Sequence, residues 1–213
     1  MFKGKLRKLI KKPGLFFSDM AANQLRKLGK VYVKKVEGHY QYTVVSAVYN
    51  VGRYLDDFFA SIIRQKLIFK KHIHLVMVDD GSTDDSVSII KKWQKKYPAN
   101  ITYLYQENAG QSCARNLGLQ HVKSEWVTFI DPDDFLGQDY FYNVDRFVYS
   151  NRNHDIKLLG CNIIFYIESN DIFKDGHPLS YRFKKGNYLI PLNELEKEVQ
   201  LSEVVPSLKK MIL

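Results

Sequence analysis

Long hydrophobic runs are missing from this chain. Apolar stretches such as Leu75-Val76-Met77-Val78 fall far short of the ~18 residues that a spanning helix needs, so no transmembrane segment is expected. Cysteine is scarce as well. Cys113 and Cys161 stand apart without a CxxC pair or a His/Cys cluster, which argues against a zinc site and against a disulfide framework. With 6 prolines and 12 glycines among 213 residues, the chain is neither collagen-like nor low in complexity. No GxxxxGK[ST] and no GxGxxG follows the first predicted strand, so P-loop NTPases and dinucleotide dehydrogenases do not fit. No apolar run of signal-peptide length follows the cationic start, and a cytoplasmic location is expected.

What the chain does contain is enough apolar surface for one core. At 45% hydrophobic and 26% charged residues it can bury roughly 70% of the surface its unfolded form exposes. The net charge of +9 is unevenly spread. Residues 1–35 hold eleven Lys or Arg against the single acid Asp19, which leaves 21 basic and 22 acidic residues in the rest of the chain. Within this leader Leu6, Leu9 and Ile10 recur at helical spacing among lysines, Pro13-Gly14 interrupts, and Leu15-Phe16-Phe17 follows. Such a basic amphipathic segment suits peripheral docking on an anionic membrane face, where each Lys or Arg contributes about 1 kcal/mol. A solvated extension is the plainer reading. Nucleic acid is not expected as a partner, because no nucleic-acid module accompanies the basic run. We therefore divide the chain into an extension over 1–38 and a catalytic-sized domain over 39–213.

From residue 40 onward short apolar runs alternate with amphipathic segments. Tyr42 to Val48 is rich in β-branched residues and reads as a buried strand. Over 54–66, Leu55, Phe58, Phe59, Ile62 and Ile63 share one helical face. Ile73 to Val78 is a second strand, followed by the Asp79-Asp80-Gly81 turn and a helix over 85–96 that Thr83 or Asp84 can cap. A third strand over 101–105, a helix over 111–121 and a fourth strand over 126–130 complete four βα units in series. That order predicts an α/β fold with a mostly parallel central sheet and helices on both faces. Beyond it, 140–149 reads as helix, 156–167 as one long strand or two joined, and 192–201 as an acidic helix. From Pro206 to Leu213 no closing element is evident.

Ligands of open α/β sheets bind outside the carboxyl ends of the strands. Four loops lie there: 47–52, 79–83, 108–115 and 131–134. Two of them are carboxylate clusters, Asp79-Asp80 and Asp131-Pro132-Asp133-Asp134, with Arg115 on the helix between. Either cluster alone is weak evidence, since Asp-Gly is a common turn dipeptide. Together they point to a hard divalent cation, Mn²⁺ or Mg²⁺, held by one or two carboxylates and the oxygens of a phosphate-bearing ligand. Asp80 is also placed to read a nucleobase edge or a ribose hydroxyl.

These loops carry a resemblance. VVSAVYNVGRYL (44–55), VMVDDGSTDDS (76–86), ENAGQSCARNLGL (107–119) and WVTFIDPDDFL (126–136) are similar to the motifs of the family 2 inverting glycosyltransferases, in that family's order and spacing. The resemblance covers residues 42–150. It implies a GT-A fold and metal-dependent transfer of a hexosyl or hexosaminyl group from a nucleotide donor, UDP-linked, to a surface or capsular glycan or lipid-linked acceptor. Carried over by motif, it implies that Ala47 and Tyr49 line the base pocket and that Asp80 meets uracil or ribose. Asn108 and Arg115 stand beside the donor, Asp131 at ribose or sugar, and Asp133 on the metal. The chain departs from the family at Ala47, where proline is usual, and in its general base. None of Glu194, Glu196, Glu198 or Glu203 matches the family's base motif. The resemblance therefore places the base beyond Leu213, and the chain resembles the N-terminal piece of a longer enzyme.

Two other classes fit less well. A haloacid-dehalogenase-type phosphatase needs DxDxT, and Phe135 stands where that threonine belongs. A non-catalytic module, binding donor or docking on a membrane within a larger synthase, is the main alternative. Tyr103, Tyr105, Trp93 and Trp126 occupy core-compatible positions, Cys113 needs no chemistry, and His72 and His74 lack a partner at metal-ligand spacing.

Overall fold

The computed structural model describes residues 34–159, 161, 164–167, 172–175, 189 and 210–212. The basic leader up to residue 33 and the helix expected over 192–201 lie outside the described residues. So do Glu194, Glu196, Glu198 and Glu203, and so does Leu213, beyond which the general base is expected. The stretch from Pro206 to Leu213, in which no closing element was expected, does contribute a strand: Lys210–Ile212 is β8, paired in the central sheet.

The β-branched run YTVVSAV forms β1 (Tyr42–Val48) at the bounds its composition predicts. It lies between two parallel neighbours, pairing Tyr42 with Ile73 through Val48 with Asp79 on β2 (Ile73–Asp80), and Tyr42 with Trp126 through Val45 with Phe129 on β4 (Trp126–Phe129). The outer edge of β2 pairs with β3 (Ile101–Gln106). β5 (Leu158–Leu159) and β8 complete a parallel six-stranded sheet in the order β3-β2-β1-β4-β8-β5. That late strand was hidden because its partners β4 and β5, some fifty to eighty residues earlier, make so short a segment extended. The expected strand over 156–167 is split. Its second part, β6 (Ile164–Ile167), pairs antiparallel with β7 (Ile172–Asp175) in a separate two-stranded sheet. That hairpin belongs to a second compact unit around residues 162–184, while residues 34–161 and 185–213 form the first.

Side chains alternate across the strands, and each face of the sheet acquires its own cover. Tyr42, Val44 and Val48 share a core with Leu55, Phe58, Phe59 and Ile62 of α1 (Gly52–Ile63), Ile90 of α3 (Ser86–Lys96), and Phe141, Val144 and Val148 of α5 (Tyr140–Ser150). The one-turn α2 (Phe69–His72) leads into β2. On the opposite face Val45, Val76, Val78 and Val127 pack with Ala114 of α4 (Gln111–Leu119). Gly118 permits that approach, since a Cβ there would sit 2.3 Å from Val45 Cγ1. The helices therefore do flank both faces.

Two elements differ from expectation in ways that matter for the site. β2 runs on through Asp79 and Asp80, because β3 continues beside it with Asp79 opposite Tyr105 and Asp80 opposite Gln106. The acidic pair is thus strand, not turn. Tyr105 is 60% exposed and not core, since β3 is the outermost strand of the sheet. Trp126 is fully buried, as its position predicts.

The entry to β1 is fixed by a buried carboxylate. Asp145 accepts hydrogen bonds from His39 N at 2.9 Å, Tyr40 N at 3.1 Å and Tyr42 Oη at 3.0 Å, which satisfies a charge that would otherwise be costly inside the core. His72 Nε2 accepts from Gly38 N at 3.0 Å, so the ring hydrogen resides on Nδ1, which faces Tyr40 O at 2.8 Å.

Candidate functional site

The site is built where β1, β2 and β4 end. Asp80, at the last position of β2, is only 4% exposed. Its Oδ1 accepts from Gln106 Nε2 at 2.6 Å and Ala109 N at 2.8 Å, and its Oδ2 accepts from Gly110 N at 2.9 Å. Burial alone would push this carboxyl up, but these three donors hold it below the ordinary carboxylate value. A carboxylate offers about four acceptor positions, so one on Oδ2 stays open. Gly110 can donate there because it adopts φ 91, in the region that favours glycine.

Next to it, Asp79 shapes the following turn, accepting Ser82 N at 2.9 Å and the Tyr103 hydroxyl at 3.0 Å. Burial and that bond push the Tyr103 hydroxyl up to about 12. Gly81, at φ 78, sits so close to the third loop that a Cβ would lie 3.0 Å from Asn108 N. The second and third loops are therefore in contact through Gly81 and Asn108.

The first loop is latched to the second by a residue whose sequence context marks it only as a turn former. Asn50 takes φ 53, a conformation that asparagine tolerates better than most residues. Its Oδ1 accepts Thr83 N at 2.8 Å and Asp84 N at 3.3 Å. Asp84 in turn accepts Gly52 N at 2.9 Å and Ser86 N at 2.9 Å, bridging the starts of α1 and α3. Burial opposes the charge on Asp84, yet its donors hold the carboxyl below the usual range, with Ser86 contributing most. Gly52 has no room for a side chain, since a Cβ would fall 1.8 Å from Asp85 Oδ1.

The fourth loop follows β4. Asp131 Oδ1 receives Arg115 Nη2 at 2.7 Å and Gln111 Nε2 at 3.0 Å, both from α4. The Arg115 guanidinium also lies 5.6 Å from the centre of the Phe129 ring. Asp133 and Asp134 are exposed. Partial loss of hydration and the charges of Asp133 and Asp131 push the Asp134 carboxyl above its ordinary value. This is an excess of negative charge that a cation would relieve. Among the described residues no group of three or more His, Cys, Asp or Glu forms a ready cage for a metal. The fit is instead of the Mn²⁺ or Mg²⁺ kind, in which one or two carboxylates share the ion with a ligand's phosphate oxygens.

The start of α4 thus ties the loops together, through Gly110 to Asp80 and through Gln111 and Arg115 to Asp131. Of the residues expected to line the site, Ala47 is half-buried at the end of β1, Tyr49 is 51% exposed and Asn108 is exposed. Gln111 and Asn50 were missed as site residues, while Asp79, expected with Asp80 as a carboxylate cluster, is engaged by Ser82 N and the Tyr103 hydroxyl. Of the two missed, only Asn50 carried a signal, standing as it does just before Val51-Gly52 at a strand end.

A parallel sheet with acidic strand ends and a helix start between them is the architecture of GT-A glycosyltransferases. Residues 43–189 match the family described as Glycosyl transferase family 2, and the chain belongs to it. Relatives include the minor teichoic acid biosynthesis protein GgaB of Bacillus subtilis, 38% identical over 127 residues, covering 60% of this chain and 14% of that protein. GgaA of the same organism is 33% identical over 151 residues, covering 70% of this chain and 32% of GgaA. This chain therefore spans less than a third of either protein's length. Among solved structures, Staphylococcus aureus TarS 1-349 in complex with UDP-GlcNAc superposes with a TM-score of 0.51 at 26% identity, covering 58% of this chain and 34% of that one. TarS is named a poly(ribitol-phosphate) beta-N-acetylglucosaminyltransferase. Among the described residues no helix is long and apolar enough to cross a membrane.

Proposed function

We propose that this chain binds a UDP-sugar at the ends of β1, β2 and β4 and transfers the sugar, with inversion, to a surface or capsular glycan. The observation that carries the reading is the convergence of Asp80 and Asp131 on the start of α4. TarS, a relative solved with UDP-GlcNAc, supports a UDP-linked donor.

In this reading Ala47 and Tyr49 flank the uracil, and the open position on Asp80 Oδ2 accepts an imide N–H or a ribose hydroxyl. Because donors from Gln106 at the end of β3 and from Ala109 and Gly110 already engage Asp80, its main work is to hold 106–110 in place around the nucleoside. Asn108 lines the same pocket. Arg115 spends one N–H on Asp131 and keeps others for the diphosphate, and Asp131 held in this way faces ribose or sugar. Asp133 would hold the divalent cation, which supplies charge neutralisation for the departing diphosphate. The base that takes the acceptor proton is not assigned to a described residue.

The test is a panel of nucleotide sugars followed by saturation-transfer NMR on the wild-type chain and on Arg115→Ala. Transfer to uridine and ribose protons with UDP-sugars, weakened in the variant, supports the reading. Equal signals from the two proteins, or none from any UDP-sugar, would overturn it.

A further inference from the structure

Exposed lysines of the first compact unit gather on α2 and α3. Lys70 and Lys71 on α2, and Lys91, Lys92, Lys95 and Lys96 on α3, are all exposed. Two of them have acidic partners: Lys71 bonds Glu37 at 3.0 Å and Lys92 lies 3.5 Å from Asp56. The other four have no carboxylate within ion-pair distance among the described residues. Three of those four lie over aromatic rings. Lys91 is 5.5 Å from the Tyr103 ring centre, Lys96 is 5.1 Å from Trp93 and 5.4 Å from Tyr97, and Lys70 is 6.0 Å from Tyr97.

Lys91 and Lys95 are one helical turn apart, as are Lys92 and Lys96, so the four form two columns along α3. Lysines in a helix's last turn also complement its dipole, which accounts for Lys95 and Lys96 on α3 and for Lys70 on α2 but not for Lys91. The stripe leads to the donor loops. Tyr103, beneath Lys91, donates its hydroxyl to Asp79. Tyr105, two residues on and so on the same face of β3, presents a ring that is 60% exposed.

We propose that this stripe along α3 and the β3 edge is the binding track of a polyanionic acceptor, a glycan or polyol chain joined by phosphodiesters, with lysines on phosphates and Tyr105 against a sugar or polyol face. The proposal rests on the transferase reading above and names its acceptor class. Charge complementarity selects a polyanion. A bilayer is the poorer occupant, since no large apolar side chain on α2 or α3 is exposed.

The experiment measures the affinity of the full chain for purified poly(ribitol phosphate) at low and moderate salt. Three proteins are compared: wild type, Lys91→Gln/Lys95→Gln/Lys96→Gln, and a control with Lys3, Lys5 and Lys8 changed to Gln. UDP binding and binding to vesicles of phosphatidylglycerol and phosphatidylcholine in equal parts are measured alongside. The expected result is a loss of about tenfold or more in polymer affinity for the α3 variant, a shallower salt dependence, and UDP affinity unchanged. The control should lose less than the α3 variant. No polymer binding by wild type, equal losses in both variants, or a loss confined to vesicles would each overturn the proposal. Failure of UDP to bind any of the three proteins would instead sink the donor-site reading.

Discussion

Arg115 on α4 places Nη2 2.7 Å from Oδ1 of Asp131, joining a helix on one face of the sheet to the loop that ends β4. Both groups are partly exposed, so the pair adds little to stability, about 1 kcal/mol or less. Its consequence is orientation. Arg115→Ala should leave the urea midpoint nearly unchanged while UDP affinity, read by calorimetry, falls about tenfold, the worth of a charged hydrogen bond. Arg115→Lys should restore little, because an ammonium cannot reach Asp131 and a phosphate together as a guanidinium can.

Asp80→Asn keeps the shape of the side chain but turns one acceptor oxygen into a donor facing main-chain N–H groups. The loss should be about 2–3 kcal/mol of stability, visible as a lower denaturation midpoint, together with loss of UDP binding. A variant as stable as wild type would show that the 106–110 loop does not depend on this carboxylate.

The same carboxylates set an acid limit. Asp80 and Asp84 are held below their unfolded values, so their contribution is complete above the unfolded carboxylate pKa near 4 and fades as pH falls through the lower folded values. Amide exchange at Ala109, Gly110 and Gly52, corrected for intrinsic rates, should be constant from pH 7 to about 5 and gain openings only below about 4. Protection lost between pH 7 and 5 would contradict this.

Asn50 separates two effects at one position. Asn50→Gly keeps the left-handed backbone and loses only the bonds to Thr83 and Asp84, costing about 1 kcal/mol. Asn50→Ala loses the bonds and adds strain at φ 53, so its cost should be larger by about 1 kcal/mol. Thermal unfolding of the two variants gives the order directly.

Gly118→Ala tests the packing of α4. The added methyl would meet Val45 2.3 Å away, and overpacking of this kind costs about 1–3 kcal/mol. A displaced α4 would also move Arg115, so UDP affinity should fall with stability.

Much of this was legible in the residues. β1 was read at its observed bounds because both its faces are buried and its composition is β-branched throughout. α1 followed from the spacing of Leu55, Phe58, Phe59 and Ile62. The end of β2 was misjudged because Asp79-Asp80-Gly81 has turn chemistry locally, while the pairing that keeps it extended comes from β3, a later strand. The exposure of Tyr105 was hidden for a related reason, since which strand is outermost is not a local property. Within the site, the motifs nominated Asp80, Arg115 and Asp131, but the Asn50 latch depends on a backbone angle that no spacing encodes.

The most direct measurement is UDP titration by calorimetry, with and without Mn²⁺, on the wild-type chain and on Asp133→Ala. The account predicts that Mn²⁺ strengthens UDP binding to the wild type and has no such effect on the variant. UDP binding that ignores Mn²⁺ in both proteins, or that is absent from a folded wild type, would contradict it.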